Sequence, residues 1–119
     1  MPALLDINHR QGYSETYDFE VQDGDHATVD PTNWTAIVFR VKKSLQDADA
    51  SAVLTLTLAA GDISVVTVDS TKKVRVAVDA DGLDTASLTL GEYQYTLTGT
   101  NETSKPKFID KGKFNLYAE

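Results

Sequence analysis

Tyr13-Ser14-Glu15-Thr16-Tyr17-Asp18-Phe19-Glu20-Val21 alternates apolar and polar side chains, a period of two and not the 3.6 of a helix. Tyr13, Tyr17, Phe19 and Val21 fall on one face, and Ser14, Thr16, Asp18 and Glu20 on the other. That is the pattern of a strand with one face against a core. Asp23-Gly24-Asp25 ends it with turn chemistry. Upstream, Leu4, Leu5 and Ile7 precede any obvious strand, so residues 1–11 read either as a first strand or as an arm that docks on a neighbour.

The same period continues downstream. Trp34 to Val41 is apolar on both faces, with Ile37, Phe39 and Val41 on one and Trp34, Ala36 and Val38 on the other, as expected of a strand inside a sheet or against a partner. Leu54, Leu56 and Leu58 alternate with Val53, Thr55 and Thr57. Ile63 to Val68 changes phase at Val65-Val66, which predicts a bulge or two short strands. Val74, Val76 and Val78 resume a strand. Leu83, Ala86 and Leu90 have near-helical spacing, so residues 79–90 read as one helical turn or a loop crossing between sheets. Tyr93, Tyr95 and Leu97 point inward in the next strand, Asn101 to Pro106 is the last turn, and Phe114 and Leu116 share a face in the final one. Seven or eight short strands with turn signals between them predict an all-β sandwich over residues 12–119.

The chain has 119 residues, one domain's length, and can bury roughly two-thirds of its unfolded surface. It has no cysteine, which excludes disulfides and thiolate metal sites. The net charge of −7 and the scattered lysines argue against nucleic-acid binding, which needs a basic face. Met1 to Arg10 lacks the cationic start of a signal peptide. No segment approaches the ~20 apolar residues of a membrane helix, so no membrane partner is expected.

The sequence carries little catalytic chemistry. His9 and His26 have no metal-ligand spacing, and His26 sits in the Asp-rich stretch Asp23-Gly24-Asp25-His26, read as solvent-facing loop. Asp79-Ala80-Asp81-Gly82-Leu83-Asp84 departs from a calcium loop, because the glycine comes early and no glutamate closes it. These carboxylates read as turn caps. The phosphate-loop, dinucleotide and nucleophile-elbow motifs do not occur. The tyrosines read as core aromatics, with Tyr117 the one expected to be exposed. No catalytic, cofactor-binding or metal-ligating residue is assigned, and no cofactor is expected.

The order of features, Gly12-Tyr13 into a strand, Asp30-Pro31-Thr32-Asn33-Trp34, Leu88-Thr89-Leu90-Gly91-Glu92-Tyr93-Gln94-Tyr95 and Gly112-Lys113-Phe114, resembles the small immunoglobulin-like domains of tailed-phage structural proteins. The N-terminal domain of phage baseplate upper proteins is one example. The resemblance covers about Gly12 to Leu116. It implies an immunoglobulin-like antiparallel sandwich, Tyr93 or Tyr95 as a tyrosine-corner lock, and a non-enzymatic virion protein assembled in the host cytoplasm. Such a protein would work in a tail, baseplate, fibre attachment or capsid decoration, packing against other virion proteins and copies of itself. Leu4, Leu5 and Ile7 are the expected assembly contacts. The alternative is a host- or glycan-binding module using Tyr117 or loop residues.

Overall fold

The computed structural model describes residues 6–23, 25, 27–44, 46–48, 51–80 and 84–118. Eight strands follow in order: β1 (Ile7–Arg10), β2 (Glu15–Glu20), β3 (Ala36–Lys42), β4 (Leu54–Thr57), β5 (Ile63–Val68), β6 (Thr71–Val78), β7 (Gly91–Thr100) and β8 (Pro106–Tyr117). They form a β-sandwich of two sheets, one of five strands in the order β1-β8-β7-β3-β4 and one of three in the order β2-β6-β5. All pairings are antiparallel except β1 with β8. The two edges of the larger sheet, β1 and β4, are only four residues long, which limits the unpaired backbone offered to other chains.

The period-two pattern selects the buried face of each strand. Ile37, Phe39 and Val41 of β3 are fully buried, as are Val74, Val76 and Val78 of β6 and Tyr95 and Leu97 of β7. With no disulfide to join the sheets, aromatic rings span the core. Phe19 of β2 meets Tyr95 of β7 at 6.0 Å between centroids, Tyr95 stacks on Phe39 at 5.3 Å, and Phe39 meets Phe114 at 6.3 Å. Such pairs add modest directional stabilisation to a large burial of area.

Four expectations are corrected. Ile7 is 2% exposed inside this core, so it is a packing residue of β1 and no free assembly contact; Leu4 and Leu5 lie outside the described residues. Trp34 does not share the outer face of Ala36 and Val38, because a turn closed by its N–H on the Pro31 carbonyl (3.1 Å) precedes β3. Its ring is buried over Gly99, where an added Cβ would stand 2.6 Å from the indole. Tyr13 is half-exposed, since Gly12, at φ 78°, turns the chain before β2 begins. The phase change at Val65-Val66 is no bulge: β5 pairs with β6 in unbroken register from Ile63↔Val76 to Val68↔Thr71. The register shift lies elsewhere, between Leu97 and Thr98 of β7, whose partners Asp110 and Phe108 leave Ile109 of β8 without an opposite residue.

Residues 79–90 take the loop alternative. The connection carries the chain from one sheet to the other, with turns over Asp84–Ser87; Leu83 is outside the described residues.

Candidate functional site

Among the described residues, three places are candidates for a site. The first is inside the sandwich, at the end where β1 begins the fold. His9 alternates with Asn8 and Arg10 and so points inward from β1, fully buried. Its Nε2 lies 2.6 Å from Asp79 Oδ2, its Nδ1 2.6 Å from the Tyr17 hydroxyl, and its ring stacks on Phe114 at 5.7 Å. Asp79, also fully buried, follows β6 at a positive φ of 59°. Its carboxylate accepts the Thr85 N–H at 2.8 Å and the Thr85 hydroxyl at 2.6 Å, and Asp84 in turn accepts the Asp79 N–H at 2.7 Å.

A carboxylate only accepts, so Nε2 donates to Asp79, and in a neutral ring Nδ1 accepts from the Tyr17 hydroxyl. Burial above all, with Glu15, Tyr117 and Asp79 adding to it, pushes the Tyr17 phenol well above its ordinary range. The hydroxyl therefore remains a donor. The order carboxylate, imidazole, hydroxyl is that of a catalytic relay, but both His9 and Asp79 are sealed from solvent. The arrangement ties β1, β2 and the β6–β7 connection together.

The second place lies over it, on the surface. The Arg10 guanidinium stands 5.0 Å from the centre of the Tyr13 ring and 5.9 Å from that of Tyr117, cation–π distances. With Asn8, Glu15 and Tyr17 they line a shallow pocket of about 290 Å³. Tyr117 is exposed, as its position at the end of the chain's last strand predicts, and Tyr13 stands beside it.

The third place is the outer face of the five-stranded sheet. Ala36 and Val38 of β3, Pro106 and Phe108 of β8 and Thr98 and Thr100 of β7 line an open groove of about 470 Å³, with Arg40 and Lys107 at its sides. Phe108 is 43% exposed. The chain matches no family model, no curated protein and no solved structure.

The residues singled out in the sequence fall differently. Asp79 and Asp84 act as turn caps, as read. His26 lies outside the described residues. His9 was visible only as a histidine without metal spacing; the one local signal of its burial is its place two residues after Ile7 in a strand-like alternation. Among the described residues no three His, Asp or Glu side chains gather as metal ligands would. The Tyr93 hydroxyl donates to the Thr89 carbonyl at 2.6 Å.

Proposed function

We propose that the chain is a non-enzymatic structural subunit of a tailed-phage virion, built on an immunoglobulin-like sandwich and acting by packing against other proteins. The observation that carries the packing role is the apolar groove of Ala36, Val38, Pro106 and Phe108, open on a sheet face where solvated strands carry polar side chains. Arg40 and Lys107 flank its apolar floor.

The strand order supports the immunoglobulin-like reading. With β2 to β8 taken as strands B, C, C′, D, E, F and G, the sheets run G-F-C-C′ and B-E-D, the arrangement of variable-type domains. Tyr93 then occupies the tyrosine-corner position near the start of strand F. Tyr95, two residues on, stands where such domains carry the second cysteine, and meets Phe19 of strand B. The phage setting rests on the resemblance of residues 88–95 and 112–114. Mass spectrometry of purified particles from the genome encoding the chain tests it: the chain is expected at stoichiometric abundance, and its absence from intact virions would overturn the reading.

A second reading, a host- or glycan-binding module, is supported by the exposed Tyr13 and Tyr117 rings flanking Arg10. Binding on a glycan array that disappears in Tyr13→Ala and Tyr117→Ala variants would favour it; an empty array with folded protein argues against it.

A further inference from the structure

The strand register gathers a chemically mixed pocket over the buried His9. Asn8, Arg10, Tyr13, Glu15, Tyr17 and Tyr117 line it. Asn8 and Arg10 alternate with the buried Ile7 and His9 of β1, and Tyr117 pairs with Arg10 at the end of β8. Glu15 opens β2, two residues before Tyr17. The turn at Gly12, closed by the Tyr13 N–H on the Arg10 carbonyl at 3.1 Å, brings Tyr13 to the same place. The lining is held from below and from the side. Tyr17 is fixed through its hydroxyl on His9, and His9 on Asp79. Asn8 Oδ1 accepts from the Asn115 amide at 2.9 Å, and the Arg10 guanidinium lies against both exposed rings. A pocket whose walls are in place before a ligand arrives loses little by ordering them.

The charges of the pocket select an uncharged ligand. Arg10 and Glu15 both line it, so an anion meets a carboxylate and a cation meets a guanidinium. A polyol meets neither repulsion. A guanidinium N–H donates to a hydroxyl oxygen, a carboxylate accepts from a hydroxyl, and the Asn8 amide nitrogen is a further donor. Tyr13 and Tyr117 remain 49% and 41% exposed with the guanidinium already against them, which leaves ring surface for the aliphatic face of a pyranose. The volume of about 290 Å³ lies at the lower limit of ligand clefts and suits a single ring. We propose that this pocket binds one uncharged pyranose unit of a glycan, its hydroxyl edge on Arg10, Glu15 and Asn8 and its aliphatic face on the tyrosine rings.

The proposal rests on the glycan-binding reading above and gives that reading its site and ligand class. It is compatible with the packing role. The pocket adjoins the Tyr117 end of β8 and the apolar groove lies at the Pro106 end, so a subunit packed through the groove can hold a sugar at the same time.

An NMR titration of amide and tyrosine ring signals tests this, with methyl glucopyranoside, methyl galactopyranoside, methyl mannopyranoside and N-acetylglucosamine as probes. At least one is expected to give saturable shifts at the pocket residues, with a dissociation constant on the order of 1 mM. N-acetylneuraminic acid, an anion, and glucosamine, a cation, should bind at least about threefold more weakly. Tyr117→Ala should weaken binding of the neutral probe by about tenfold. Glu15→Gln should weaken it by about threefold and narrow the gap to N-acetylneuraminic acid. If Tyr117→Ala loses its near-ultraviolet circular dichroism, Tyr13→Ala, at the exposed turn, takes its place with the same expected loss. The absence of saturable shifts up to about 100 mM of every neutral probe overturns the proposal. So does tighter binding of a charged sugar, or binding that the tyrosine and Glu15 variants leave unchanged. A positive glycan array on which those variants bind like the parent overturns this pocket and leaves the glycan-binding reading standing. An empty array together with a silent titration overturns both.

Discussion

Replacing His9 with alanine removes a partner from the buried Asp79 carboxylate and from the Tyr17 hydroxyl, and opens a space against Phe114. An unpartnered buried polar group costs its full desolvation, so His9→Ala is expected to lose about 3 kcal/mol. Tyr17→Phe removes one hydroxyl and is expected to lose about 1 kcal/mol. Urea unfolding measures both; equal small losses would show that the network does not tie β1 down. Asp110 is a different case. It is buried opposite Leu97, and although its carboxylate accepts the Lys111 N–H at 2.8 Å, burial pushes its pKa up. The native state therefore keeps the proton to higher pH than the unfolded chain, and stability falls as pH rises from the ordinary carboxylate range through the raised value. Asp110→Asn retains an acceptor for Lys111 and carries no charge. It is expected to melt higher than the parent at neutral pH, with the gap closing below the ordinary carboxylate range.

The β5–β6 hairpin turns through Asp69 and Ser70, both in the left-handed region at φ 51° and 67°. The two positive φ values on a two-residue connection are those of a type I′ turn, which favours Asn-Gly. Asp69→Asn/Ser70→Gly is expected to raise the unfolding free energy by about 1 kcal/mol, since left-handed backbone costs a side chain roughly that much per residue. An unchanged urea midpoint would mean that the parent turn carries no strain. Strands of this chain were legible because period two survives any partner choice: alternation located β2, β3, β6 and β7, while β6 begins three residues before Val74 and β7 runs three beyond Leu97. The bulge was not. Val65-Val66 mimics one because β5 is an edge strand whose outer valines are half-buried without leaving register. Ile109 forms the real one, visible only against β7. Alternation within one strand carries no information about a slip between two.

Across the whole molecule, carboxylates outnumber cations, and several of them serve the fold. Asp79 holds Thr85 and His9, Asp18 forms a paired contact with Arg75 at 2.7 and 2.9 Å, and Asp23 closes its own loop on the N–H groups of Asp25 and Ala27. Calcium and chelator are accordingly expected to leave the melting midpoint unchanged; a calcium-dependent rise of several degrees would reveal a site these bonds do not describe. The reading of the lysines changed most with scale. Lys42 is far along the chain from Lys111 and Lys113, and no basic face was expected. Strand pairing sets them on rows of one sheet.

By itself the sequence determined the all-β class, most of the strands and which side chains of each face the core, because burial of apolar area acts on every strand through its own alternation. The tertiary structure alone decided that Ile7 and His9 are core and that Trp34 lies on Gly99. Each of these depends on which residues from distant strands stand opposite one another, and that choice follows from packing the two sheets together.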